Sequence, residues 1–265
     1  MRLSKLSALL IIFPVLCFSA FAQPEPDKAV SKMPFGPGEV LVYEGKLTKI
    51  ISVGGVADLT FSVLQGEEPG RLIIKTKAVS KGGLLSLLRF SFLQEYETVA
   101  DMSAERVYKT TKHDVQKERV RDSVADFDYK EKRVTFVETN PKEPTRPPRN
   151  IASAVGEKMW DLTSAIYSLR LAPLAVGASL QVPVSDSGLV YDVPVRVTAR
   201  ERQNSIFGKV WCWRVEPMIF GDGRLIEQKG KMVIWITDDA RRLPVRSKIE
   251  TSYGKFDVRL KSVVN

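Results

Sequence analysis

Apolar and polar residues alternate along most of this chain. Leu59, Phe61 and Val63 are separated by Thr60 and Ser62, a period of two that turns one side of a strand to a core and the other to water. Ala125, Phe127 and Tyr129 stand in the same way against Asp126 and Asp128, and Phe256, Val258 and Leu260 against Asp257, Arg259 and Lys261. In 243–253, Val245, Ile249, Thr251 and Tyr253 share one face while Arg246, Lys248 and Glu250 share the other. Further strand-like runs cover 40–47, 72–79, 93–99, 105–112, 120–129 and 133–139, then 180–184, 190–199, 209–215 and 225–237. Gly54-Gly55, Gly221-Asp222-Gly223, 238–242 and Gly254-Lys255 supply turns. Spacings this short favour hairpins over crossovers. The pattern predicts a mainly β fold, a large curved antiparallel sheet or half-open β-barrel of roughly a dozen strands.

Three stretches depart from that pattern. Over 156–171, Met159, Leu162, Ile166 and Leu169 recur at spacings of three and four, Trp160 and Tyr167 widen the stripe, and Pro173 ends it. The spacing predicts one long amphipathic helix packed on the sheet. Leu84, Leu85, Leu87, Leu88 and Phe90 are too dense for an exposed strand; they read as a short buried helix or a hydrophobic loop, either core or the lip of an apolar cavity. The run 140–150 carries four prolines and reads as a linker between two β halves. Residues 35–265 are then expected to form a single β-rich domain after a flexible linker over 23–34.

The N-terminus changes the setting. Arg2 and Lys5 precede an apolar run over 9–18, and Ala20-Phe21-Ala22 places small residues before Gln23, the layout of a secretory signal peptide over 1–22. An apolar run of about ten residues falls short of the ~20 that span a bilayer, and Pro14 argues against a buried helix. The expectation is a periplasmic or extracellular protein with no transmembrane segment in the mature chain. Cys17 follows Leu16, with Pro14 three before it, which disfavours lipidation. Cys212 then stands alone, so no intrachain disulfide is expected, and its place between Trp211 and Trp213 suits a small buried hydrophobe.

Charge and chemistry-bearing residues narrow the function classes. The formal charge of +9 is spread among apolar residues, as on the wet faces of strands. It does not interleave with aromatics as nucleic-acid binding would require, so no nucleic-acid partner is expected. A single histidine, His113, excludes a zinc site built on several histidines. Asp238-Asp239 is a carboxylate pair in a hairpin loop, but Arg241-Arg242 would neutralise it. Asp161 and Arg170 suit the positive and negative ends of the predicted helix, and a buried Arg170 would also suit an anion. No nucleotide-binding glycine loop, nucleophile elbow or metalloprotease helix occurs. Thus no catalytic residue, metal site or cofactor is assigned.

Three segments in series resemble the domain of unknown function 3108 family of exported bacterial proteins. They are Pro37-Gly38-Glu39-Val40-Leu41-Val42-Tyr43, then 161–170 (DLTSAIYSLR), then 235–245 (WITDDARRLPV). The chain departs from the family at Glu44-Gly45, where many members carry Trp-Gly. The resemblance implies an envelope protein built on a large curved antiparallel sheet and brings no catalytic residues with it. Such a sheet around an apolar helix is similar to the half-open barrels of periplasmic lipoprotein carriers, a likeness of fold alone. It implies a non-catalytic binding or envelope-maintenance module holding an apolar or lipid-like ligand on its concave face. Leu87, Leu88, Ile166, Trp211 and Trp213 are the residues expected there. Two alternatives stay open: a structural or interaction module contacting anionic envelope polymers, and a glycan hydrolase using Asp238, Asp239 or Asp161. The hydrolase would need two carboxylates about 5–9 Å apart across a cleft.

Overall fold

The alternating runs become strands that pair in chain order. The computed structural model describes residues 33–48, 52–81, 91–252 and 254–264. The expected signal peptide, all but the last two residues of the linker, and the apolar run 84–90 with Leu87 and Leu88 lie outside the described residues. Among the described residues the first half holds β1 (Val40–Thr48), β2 (Ser52–Gln65), β3 (Arg71–Ser80), β4 (Phe92–Asp101), β5 (Val107–Gln116), β6 (Arg119–Asp128), β7 (Arg133–Thr139) and β8 (Arg149–Ala154). A two-residue strand β9 (Trp160–Asp161) and a helix α1 (Ala165–Leu171) follow. The chain then continues with β10 (Ser179–Asp186), β11 (Leu189–Ser205), β12 (Gly208–Pro217), β13 (Gly230–Thr237), β14 (Pro244–Thr251) and β15 (Gly254–Val264).

These strands form one fifteen-stranded sheet in the order β8-β7-β6-β5-β4-β3-β2-β1-β15-β14-β13-β12-β11-β10-β9. Chain neighbours pair antiparallel, apart from the parallel contact of β9 with β10 and from β8 and β9, which stand at opposite edges. The first strand also pairs with the last, from Val40 opposite Val264 to Thr48 opposite Lys255. Pairing of this kind satisfies the backbone polar groups that a buried strand cannot leave unmet. The sheet carries bulges at Val42/Tyr43 and Val197/Ala199, which add local bend and twist.

Curvature brings distant parts of the sheet together. The turn between β10 and β11 has Ser187 and Gly188 at positive φ (51° and 81°), as a tight hairpin turn demands. It rests against β7 and β8: a Cβ added at Gly188 would lie 2.5 Å from Phe136 Cβ and 2.9 Å from Ile151 Cβ. Ser153 Oγ donates to the Gly188 carbonyl at 2.7 Å, and Val190 joins the cluster of Phe127, Val134 and Phe136. This seam, together with β9 at the far edge, rolls the sheet toward a barrel.

The helix is shorter than its apolar stripe predicts, seven residues rather than 156–171. The reason lies in 159–164. The Met159 N–H donates to the Glu105 carbonyl at 3.2 Å, and its carbonyl accepts from Val107 N–H at 3.1 Å, so the backbone there is extended and held by the start of β5. Trp160 pairs with Val184 and its indole N–H donates to the Ala104 carbonyl at 2.7 Å. Asp161, expected inside the first helical turns, instead precedes the helix and pins it. Its carboxylate accepts from the Thr163 and Ser164 N–H groups (both 2.8 Å), from the Thr163 and Thr110 hydroxyls (both 2.9 Å), and from the Thr98 hydroxyl. The helix start is thereby tied to β4 and β5. Helix α1 ends at Ala172, whose ψ of 147° is extended, as the residue before Pro173 must be. The proline-rich run is also shorter than expected, since Arg149 and Asn150 already belong to β8.

Cys212 sits in a cluster with Leu41, Tyr43, Val233, Trp235, Leu243, Val245 and Leu260. Burial, with the nearby Asp239, Glu201 and Asp238, pushes its thiol up to about 12. Only the thiolate reacts. Cys212 is therefore expected to resist a thiol reagent at pH 8 in the native protein and to react at once in guanidinium. Rapid modification of the native protein would contradict its burial.

Candidate ligand cavity

Helix α1 lies inside the curve of the sheet without filling it. Ile166 touches the cluster of Val182, Val195, Val215, Ile234 and Ile236 on one side and that of Phe35, Val63, Leu72, Ile74 and Tyr167 on the other. Between the helix and the sheet remains a cavity of about 310 Å³. Its walls come from both halves of the sheet, with Leu59 and Phe61 of β2 facing Met232 of β13, Ile249 of β14 and Val258 of β15. A volume near 300 Å³ is at the small end of ligand pockets, which are mostly apolar with a few placed polar groups. Leu162 lines the cavity and is 40% exposed, so the space reaches the surface beside the turn that leads into α1.

The polar groups at this cavity are unusual for their burial. Arg170 is 2% exposed and Glu39 4%. Arg170 Nη1 donates to Glu39 Oε1 at 2.5 Å and Nη2 to Oε2 at 2.8 Å, a two-point pair that balances the two charges. Nη2 also donates to the carbonyls of Pro34 (2.6 Å) and Arg241 (3.0 Å). The guanidinium lies 5.0 Å from the Phe35 ring centre and 5.4 Å from that of Tyr167, and those two rings meet edge to face at 4.7 Å. Glu39 comes from the segment before β1, Arg170 from α1 and Arg241 from the β13–β14 turn. The pair therefore fastens the helix to two strand connections at once. Desolvation by burial pushes the hydroxyls of Tyr43 and Tyr167 well above the ordinary tyrosine value, so both phenols are neutral at physiological pH.

Of the residues expected on a concave face, Ile166 lines the cavity. Trp213 does not; it packs on the core cluster beside the helix, with its indole nitrogen buried and unpartnered. Trp211 lies further along β12, 45% exposed, with the Arg200 guanidinium 4.5 Å from its ring centre. Both follow the alternation of a strand, but β12 outruns the core toward its hairpin with β11. Sequence reasoning does not single out Glu39 and Tyr167 as site residues, and it gives Arg170 as a helix-end cation that, if buried, would suit an anion; the anion it meets is Glu39 of the same chain. Their signal was a charged residue in an otherwise apolar helix, joined to a carboxylate in the Pro-Gly-Glu opening.

The sequence between β1 and β15, residues 42–261, matches the family described as Protein of unknown function (DUF3108). The chain belongs to the DUF3108 family. No curated protein matches it. Among solved structures it is similar to a beta-barrel-like protein of domain of unknown function DUF1849 from Brucella abortus, with a TM-score of 0.59 and 11% sequence identity over 86% of this chain and 98% of that one. A Bacteroides fragilis protein with YmcC-like fold is similar at a TM-score of 0.32 and 10% identity, over 87% and 97% of the two chains. The first likeness shows that this DUF3108 chain shares a barrel-like fold.

The other chemistry-bearing residues of this DUF3108 protein are spent on neighbours. His113 Nδ1 lies 2.5 Å from Asp122 Oδ1 across two strands. Asp238 accepts from Arg200 Nε at 2.6 Å. Asp239 accepts from Arg241 Nη2 at 2.7 Å and from Thr237 Oγ1 at 2.8 Å. Burial works against the Asp239 charge, but those bonds outweigh it and hold the carboxyl below the usual range. Among the described residues no group of three or more His, Cys, Asp or Glu is placed to hold a metal ion. No helix among them is long and apolar enough to cross a membrane.

Proposed function

We propose that this DUF3108 member is an exported binding protein that holds an apolar or lipid-like ligand between α1 and the curved sheet. The observation that carries this reading is the cavity itself. It is a space of about 310 Å³, walled by apolar side chains from strands far apart in the sheet, where a closely packed core would have none of that size. Export rests on the signal-peptide pattern of residues 1–22. The two alternatives draw less support. Lys75 and Lys77 pair with Glu97 and Glu95, and Arg200 and Arg241 with Asp238 and Asp239, so these four cations are already engaged within the protein. Asp161 and Asp239 are each engaged by several donors and Asp238 is paired with Arg200, which speaks against any of them acting across a cleft on a glycan.

A fluorescent apolar probe, N-phenyl-1-naphthylamine, tests the reading. The purified protein is expected to bind it with enhanced emission, and apolar material extracted from the protein should exceed background. Ile166→Trp, which adds a ring where the cavity lies, should weaken the probe at least about tenfold, equal to some 1.4 kcal/mol. Unchanged affinity in a folded Ile166→Trp protein would remove the cavity from consideration.

A further inference from the structure

Four buried polar atoms in the residues lining this cavity have no hydrogen-bond partner within the protein. They are Tyr167 Oη, Arg170 Nε, Thr76 Oγ1 and Ser247 Oγ. Buried polar atoms are nearly always partnered, and four orphans among the residues that line one otherwise apolar cavity call for an explanation. Two of them, Tyr167 Oη and Arg170 Nε, belong to one turn of α1. An arginine Nε–H can only donate, whereas a hydroxyl donates and accepts. The set therefore asks for an oxygen acceptor.

Charge sets a second condition. The Arg170 guanidinium is already neutralised by the two-point pair with Glu39, at 2.5 and 2.8 Å. The other cation in the wall, Arg246, is held by Asp257 in the same fashion, at 2.8 Å on both oxygens, and gives Nη1 to Gln203. Each cation of the wall thus already holds a carboxylate before any ligand arrives, although Asp257 is shared with the half-exposed Arg259. A carboxylate entering here would be a second anion beside Glu39 with no unspent cation, and burying an unpaired charge is costly.

We infer that the ligand is a single acyl chain with an uncharged, oxygen-bearing head: an ester, a fatty alcohol or a monoacylglycerol-like group. The inference rests on the reading of the cavity as a ligand site and adds the chemistry of the head. The chain fills the apolar volume, and the head oxygen accepts from Arg170 Nε and Tyr167 Oη.

The test compares three twelve-carbon ligands, methyl laurate, 1-dodecanol and laurate, by displacement of N-phenyl-1-naphthylamine at pH 8. The uncharged pair should bind at least about tenfold tighter than laurate. Tyr167→Phe removes an unpartnered hydroxyl and should fold as well as the parent. It should weaken the ester and the alcohol about threefold to tenfold, the range of one ordinary hydrogen bond, and leave an alkane probe of the same length unaffected. Glu39→Gln, which frees the Arg170 charge, should shift the preference toward laurate. Equal or tighter binding of laurate by the parent protein overturns the uncharged head while leaving the cavity reading intact. So does a Tyr167→Phe protein with unaltered affinities. Failure of all three ligands to displace the probe, or failure of the probe to bind, overturns both.

Discussion

Arg170→Met is expected to lower the unfolding free energy by about 3–5 kcal/mol, the usual cost of breaking a buried ion pair from one side. The Arg170 side chain is fully buried and that of Glu39 is 5% exposed, so solvent does little to soften the loss. Glu39 would remain as an unpaired anion among Phe35, Tyr167 and Tyr43, and the Pro34 and Arg241 carbonyls would lose their donor. The double change Glu39→Leu with Arg170→Met removes both charges and should recover most of the loss, because apolar replacement of a whole buried pair is often near neutral. Urea unfolding followed by tryptophan fluorescence measures all three proteins. A loss below about 1 kcal/mol for Arg170→Met would mean that the pair is wet in solution and does not fasten the helix.

Gly188→Ala should cost about 2–5 kcal/mol. Part is the strain of an L side chain at φ 81°, about 1–2 kcal/mol, and part the collision with Phe136 and Ile151 across the seam, about 1–3 kcal/mol. Gly208 offers an internal control. Its φ is 79° but a Cβ there meets nothing within 4 Å, so Gly208→Ala should show the backbone strain alone. The difference between the two reports the seam. Amide exchange should rise most in β8 and in the β10–β11 turn of the Gly188 variant, since the collision separates those elements first. Equal losses at the two glycines would show that β8 and the turn do not press together in solution.

How far the sequence carried is clearest at particular residues. Leu59, Phe61 and Val63 alternate because β2 has one dry face, and that local regularity made most strands legible. The partner of β1 on its second side was not legible. Nothing in the periodicity of 40–47 indicates that Val40 will lie opposite Val264, because pairing across the chain leaves no local trace. The helix is shorter than its stripe predicts for a related reason. Met159, Ile166 and Leu169 are drawn to the interior, but an extended pair, a turn and two turns of helix place them there as well as one long helix would, with Leu162 left 40% exposed. What decides is Asp161, whose five accepted bonds hold the turn, and its ligands Thr98 and Thr110 stand far away in sequence. The Glu39–Arg170 pair spans 131 positions and was equally out of reach, although each half stands in a segment that marked the family.

The pairing of β1 with β15 also fixes an order of assembly. Every other antiparallel junction in the sheet can zip as a hairpin soon after its two strands leave the ribosome, since each joins chain neighbours. The β1–β15 junction must wait until Gly254–Val264 has emerged. During that interval β1 keeps one row of N–H and C=O groups open, and an open edge recruits any strand that passes. Only with that last strand are the two halves of the sheet joined edge to edge and the cavity they share walled on that side.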